Sequence, residues 1–204
     1  MPSSDIETRH VEAELRIASR DGARVITGYP IMFNVLSVNL GGFREIIKPE
    51  AIQRTLDENI DLRALFDHDT GKLLGRKSAG TLRVKAEAKG LYMEIDPPNT
   101  TAGRDTVESI QRGDLSGASF AFRVMPDGDD WEMIDEMPVR TVLDMRVLEV
   151  SPVTFPAYPQ TEVEVGTRSA GVDAALASLA RWQAMPRYQP SLALLEARQR
   201  QARG

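Results

Sequence analysis

Apolar and polar residues alternate with a period of two along most of the first 155 residues, and the segments that alternate are short and separated by turn-forming residues. That pattern predicts strands. Residues 11–33 read as strands. Glu14-Leu15-Arg16-Ile17-Ala18 alternates, Asp21-Gly22 supplies a hairpin turn, and Val25-Ile26-Thr27-Gly28-Tyr29 follows. Val35 to Gly42, with Asn39 and the Gly41-Gly42 pair, reads as a loop. Phe43 to Ile47 is a short strand, and Pro49 opens a helix that Ala51 to Asn59 continues. Ile60, Leu62, Ala64, Phe66 and His68 fall on one face of a further predicted strand, with His68 at the end of the apolar row.

Thr81–Val84 and Leu91–Ile95 make two more strands around a Lys89-Gly90 turn. Thr100 or Thr101 is placed to cap a helix that runs to about Gln111 and ends at Gly113. In the stretch Leu115 to Met125, Phe120, Phe122 and Val124 share one face, and Gly117, Ser119 and Ala121 share the other. A strand face lined by such small residues lets another group approach its backbone. An acidic turn at 126–130 precedes a strand near Trp131–Ile134. Thr141 to Val150 is a long strand candidate in which Leu143, Met145, Val147 and Glu149 are in phase. Beyond Gly171 the character changes. Ala174–Ala184 and Leu192–Ala202 are rich in helix formers and separated by Pro186 and Pro190. The expectation is a mostly β fold with flanking helices (α+β) over residues 1–168, and a helical C-terminal extension over 169–204.

Composition narrows the function classes. With 42% apolar and 27% charged residues the chain has the means to bury a core. A net charge of −5 gives no general attraction to nucleic acid or an anionic membrane surface. No apolar run approaches the roughly 18 residues of a membrane span, and the N-terminus is polar, so the protein is expected to stay in the compartment where it is made. The absence of cysteine removes disulfides, a thiol nucleophile and thiolate zinc sites. The two histidines, His10 and His68, do not form an H-E-x-x-H site. No metal or other cofactor is expected.

Three residues could carry chemistry. Ser119 is a hydroxyl on the small-residue face, His68 ends an apolar row between Asp67 and Asp69, and Glu149 places a carboxylate in an apolar phase. A serine becomes a useful nucleophile only when a base takes its proton and a third group orients that base. Asp67 and Asp69 rival Glu149 as the orienting group, and Ser116 rivals Ser119 as the hydroxyl. A G-x-S-x-G elbow between strand and helix is lacking, which disfavours an esterase of the α/β type.

The ordered blocks resemble a known family. Gly28-Tyr29 and Phe33-Asn34 precede Phe43 to Ala51. Leu65-Phe66-Asp67-His68-Asp69 precedes Leu74-Gly75-Arg76. Gly80-Thr81-Leu82 and Lys89-Gly90-Leu91 connect to Gly113-Asp114-Leu115-Ser116-Gly117-Ala118-Ser119-Phe120-Ala121-Phe122, and Leu148 to Tyr158 closes the series. From about residue 12 to 165 this order resembles the tailed-phage prohead maturation proteases, which are similar in fold to the β-barrel herpesvirus assembly proteases. The resemblance implies Ser119 as nucleophile, not Ser116, and His68 as base, and it carries the third role onto Glu149. Ala121 departs from the glycine common in that family.

It further implies an endopeptidase acting on the scaffold protein, the capsid protein precursor and itself, inside the prohead in the host cytoplasm. A homodimer is expected by analogy with related folds. The competing class is an inactive scaffold- or capsid-binding module on the same fold.

Overall fold

A computed structural model of the protein describes residues 6–57, 60–154 and 172–185. The N-terminal alternation becomes β1 (Glu7–Glu12), β2 (Arg16–Arg20) and β3 (Ala23–Met32). Asp21 and Gly22 join β2 to β3 at φ values of 51° and 81°, the left-handed pair a two-residue hairpin turn requires. Next come β4 (Arg44–Ile47), a 3-10 turn at Pro49–Ile52 and α1 (Gln53–Asp57). Pro49 suits that first turn because its missing N–H would have had no partner there. The chain continues through β5 (Arg63–Phe66), β6 (Asp69–Arg76), β7 (Leu82–Ala86) and β8 (Gly90–Ile95). Helix α2 (Thr101–Arg112) starts where the Thr100 hydroxyl accepts the Gly103 N–H at 3.2 Å, and ends at left-handed Gly113. The remaining elements are β9 (Gly117–Val124), β10 (Asp129–Ile134), β11 (Met137–Val142), β12 (Met145–Val153) and α3 (Val172–Ala184).

These strands form three sheets, ordered β1-β9-β12-β5-β6, β2-β3-β8-β7 and β10-β11-β4. Among the described residues no ladder closes them into a ring, so the fold is mostly β with three helices. The main core is shared by all three sheets and α2. Phe120, Phe122, Val147 and Val150 from the first sheet pack with Ile26, Ile31, Met93 and Ile95 from the second, Ile47 and Val142 from the third, and Val107 and Ile110 from α2. Gly28 stands within β3 because a side chain there has no room. A Cβ would meet the Ala13 carbonyl oxygen at 2.8 Å and Leu15 Cδ2 at 2.9 Å.

Three strand expectations are corrected. Residues 7–12 form a strand that their polar composition concealed. The predicted strand through His68 stops at Phe66, because Asp67 and His68 take φ values of 48° and 60° and form a turn. The long strand expected over 141–150 is broken at Leu143 and Asp144, where β11 gives way to β12.

The concealment of β1 has a physical cause: its inward residues are charged. Glu7, Arg9 and Arg140 are almost fully buried and share a network with Glu45 and Asp129. Arg9 donates to both Glu45 oxygens, each at 3.0 Å, and to Glu7 at 2.6 Å. Arg140 donates to Glu7 at 2.8 Å, Glu45 at 3.1 Å and Asp129 at 2.7 Å. These bonds tie β1, an edge of the five-stranded sheet, to β4, β10 and β11 of the three-stranded sheet. Arg140→Ala leaves Asp129 without its cation and Glu7 and Glu45 with Arg9 alone, and removing one partner of such a buried set costs roughly 3–5 kcal/mol. Chemical denaturation is expected to read a loss of that size. A loss below about 1 kcal/mol, the ordinary value for an exposed pair, would show that the network does not hold the sheets together.

Helix α3 lies on the same side. Val172, Ala175 and Leu179 pack with Phe43 and Trp131, and the Trp131 indole N–H donates to the Ser178 hydroxyl at 3.1 Å. The second predicted helix, Leu192–Ala202, lies outside the described residues.

Candidate active site

Strand β9 separates two environments. Phe120 and Phe122 face the core, as the alternation predicts, and Ser119 and Ala121 face the opposite side. On that side β1 places His10 directly across from Ser119, and β12 places Ser151 across from it on the other flank. The row His10, Ser119, Ser151 therefore crosses three adjacent strands on one face.

A bulge decides where Glu149 points. In the β9–β12 ladder Val147 pairs with Phe122, but Glu149 pairs with Ala121, with a register shift between them. The extra residue, Leu148, turns everything after it to the other side of the sheet. Val147 faces the core, whereas Glu149, two residues later, faces the side of Ser119. The sequence pattern placed Glu149 in the apolar phase of Met145 and Val147. The bulge removes that conflict.

His68 reaches the same face from a turn. Phe66 pairs with Asp69, so Asp67 and His68 form a two-residue hairpin loop in which both residues are left-handed. Asp67 anchors this loop to the end of β12. Its carboxylate accepts the Thr154 N–H at 2.8 Å and the Thr154 hydroxyl at 2.6 Å, and its own N–H donates to the Pro152 carbonyl at 3.1 Å. Asp69 accepts the Gly71 N–H at 2.8 Å and pairs with Lys72. Both aspartates are thus engaged elsewhere, and the carboxylate hydrogen-bonded to the imidazole is that of Glu149. His68 Nδ1–H donates to Glu149 Oε1 at 2.8 Å, and the Ser151 hydroxyl donates to the same oxygen.

That arrangement fixes the ring. With Nδ1 occupied by the carboxylate, the neutral imidazole carries its lone pair on Nε2, which is enclosed and has no protein partner. The hydrogen bond to Glu149 raises the His68 pKa above the ordinary imidazole value. Partial burial opposes the shift, and the negative charges of Glu149 and Asp67 add to it.

Ser119 is fully buried, and its hydroxyl donates to the Arg9 carbonyl oxygen at 2.9 Å. The Ser119–His68 hydrogen bond is therefore not formed in this structure. The two residues are linked through His10. It is the cross-strand partner of Ser119, and its ring stands edge-on to the His68 ring with centroids 6.0 Å apart. Ser116, the rival hydroxyl, is exposed ahead of β9. Sequence reasoning gave no role to His10 or Ser151. The available signal was the alternation Thr8, His10 against Glu7, Arg9, hidden because the inward residues are charged. Among the described residues no group of three or more His, Asp or Glu could hold a metal ion, and no helix is long and apolar enough to cross a membrane.

A hydroxyl, an imidazole oriented by a carboxylate and a shared sheet face are the components of serine-type hydrolytic centres, here set in a mostly β fold. Residues 5–174 match the family of the caudovirus prohead serine protease, and the chain belongs to that family of serine proteases. The resemblance carried by the ordered sequence blocks is thus borne out for the family. Among solved structures the chain is similar to the bacteriophage T4 capsid assembly protease, gp21, at 13% identity over 74% of this chain and 96% of that one, with a TM-score of 0.47. No curated protein matches the sequence.

Proposed function

We propose that the chain is an endopeptidase of capsid maturation in which Ser119 is the nucleophile, His68 its general base and Glu149 the group that orients His68. The observation that carries this reading is the 2.8 Å bond from His68 Nδ1 to Glu149, which leaves Nε2 as the proton acceptor. Ser119 turns from the Arg9 carbonyl toward Nε2 and attacks a peptide carbonyl carbon as its proton passes to His68. The tetrahedral intermediate collapses with loss of the amine, which takes that proton, and leaves an acyl ester on Ser119. Water, deprotonated by His68, releases the acid and restores the hydroxyl. Glu149 stabilises the imidazolium in both halves.

The substrates are the scaffold protein, the capsid protein precursor and the chain itself, inside the prohead in the host cytoplasm. The segment from about 169, in which α3 packs on Phe43 and Trp131, is either a plain helical extension or a docking segment trimmed on maturation. Family membership supports the first part of this reading. Co-expression with scaffold and capsid precursor, followed by intact-mass analysis, tests it. Wild-type protein is expected to yield scaffold fragments and its own truncation near 165–175, and Ser119→Ala neither. Uncut precursors beside the wild type would contradict the proposal.

The base must be neutral to act. Because the His68 pKa is raised, activity is expected to fall as pH drops through a midpoint above the ordinary imidazole value of 6.5. In Glu149→Gln the same acid limb should move to lower pH. A kcat/KM profile with its acid midpoint well below 6.5 in the wild type would remove His68 from the role.

A second reading draws on one observation, the burial of Ser119 with its hydroxyl on the Arg9 carbonyl. It makes the chain an assembly module that keeps the fold without turning over substrate. The co-expression result separates the two.

A further inference from the structure

Acyl transfer at Ser119 needs a donor for the oxygen that becomes negative, in addition to a base. Such a donor must stand beside the nucleophile, away from the base's own hydrogen-bond partner. Arg146 is poorly placed for this. It pairs with Arg123, four residues along β9 from Ser119, about 13 Å at the usual strand rise.

His10 meets the requirement. It occupies the flank of Ser119 opposite β12, while Glu149 and Ser151 occupy the β12 flank. Its ring stands edge-on to the His68 ring with centroids 6.0 Å apart, so the two imidazoles are in direct contact. Among the described residues three side-chain nitrogens are enclosed without any partner, His68 Nε2, His10 Nδ1 and Arg123 Nε, and the first two belong to the imidazole pair beside Ser119. The first is the atom a general base needs free. The second has no structural use, since an enclosed polar atom without a partner is a cost to the fold, and an apolar ring would pack against His68 without it. β1 is held in register by the buried Arg9 network, so His10 is presented by a fixed strand and not by a loop.

We propose that His10 is a further catalytic residue, whose Nδ1–H donates to the scissile carbonyl oxygen as negative charge develops on it. The proposal rests on the reading of Ser119 as nucleophile. A neutral imidazole is the fitting donor here. Burial, and then the positive charges of His68 and Arg9, lower the His10 pKa, so His10 stays uncharged while His68 takes up and releases the proton. A charged His10 would instead oppose formation of the His68 imidazolium 6.0 Å away.

The test is a panel of His10→Ala, His10→Phe and His10→Gln. Each variant is first checked for a wild-type unfolding transition, then assayed for kcat and KM on a precursor peptide that the wild type cleaves. The rate of Ser119 modification by a fluorophosphonate is measured in parallel, because its phosphoryl oxygen occupies the position of the developing oxyanion. Loss of one such donor is expected to lower kcat by roughly 10²–10³-fold, with KM changed about twofold or less. The modification rate should fall by a similar factor.

Gln, which keeps an N–H donor, should recover about tenfold or more over Ala. Phe, which fills the ring volume without a donor, should remain as slow as Ala. Recovery in Phe, or no difference between Gln and Ala, overturns the proposal, because His10 would then act only by packing or not at all. If the wild type itself shows neither cleavage nor modification at Ser119, the underlying peptidase reading fails instead. A variant that loses its unfolding transition is read from the remaining two, and loss of all three assigns His10 to the fold and overturns the catalytic role.

Discussion

Ser119→Ala is expected to give a folded protein whose kcat for peptide hydrolysis is lower by roughly 10⁶-fold, the scale on which serine hydrolases lose activity when the nucleophile is removed. The fold should tolerate the change. Ser119 is fully buried, but its hydroxyl makes one bond, to the Arg9 carbonyl, and alanine fits wherever serine does on a strand face that already carries Ala121. Loss of one donor of this kind costs about 0.5–1.5 kcal/mol. The unfolding midpoint and the activity should therefore separate sharply. A Ser119→Ala protein that still cleaved the precursor would transfer the nucleophile to another hydroxyl, and Ser151, in the same cross-strand row, is the first to examine.

The second large effect is expected at Glu149. Glu149→Gln is nearly isosteric and can still hydrogen-bond, but it cannot hold His68 in the same way. An amide N–H facing Nδ1 favours the tautomer with the proton on Nε2, and the ring then offers Ser119 a donor where an acceptor is needed. It also removes the charge that stabilises the imidazolium. A loss of roughly 10⁴-fold in kcat follows, the size seen when an orienting carboxylate becomes an amide. Steady-state kinetics check it, and KM should change little if Glu149 acts through its hydrogen bond to His68. By contrast, Asp67→Asn should act through the loop, since Asp67 binds Thr154. Comparable kcat losses for Asp67→Asn and Glu149→Gln would mean that orientation of His68 is not the special property of Glu149.

Much of this arrangement was legible before any coordinates. The small-residue face at Gly117, Ser119 and Ala121 follows from alternation alone, whereas a cap at Thr100 or Thr101 and the turn at Asp21-Gly22 follow from residue type. The misses share a cause. Period-two reasoning assumes an uninterrupted strand with apolar residues inward, and the site violates both assumptions. Strand β1 escaped because its inward positions are Glu7 and Arg9, stabilised by Glu45 and Arg140 from distant segments. Glu149 stands out in the sequence as a carboxylate in an apolar phase, but the reason is invisible there, because a bulge at Leu148 is set by the register of two paired strands. His68 was placed at a strand end, whereas two left-handed residues without a glycine put it in a turn. His10 could not be associated with Ser119 at all, because their proximity exists only once β1 pairs with β9.

The proposed reaction requires a chemically competent Ser119 hydroxyl, despite its resting bond to the Arg9 carbonyl. Incubation of the wild-type protein with a fluorophosphonate, followed by intact-mass analysis and peptide mapping, measures that competence directly. One adduct per chain is expected, on Ser119, formed far more slowly in His68→Ala. No adduct, or an adduct on Ser116 or Ser151 with Ser119 unmodified, would contradict it.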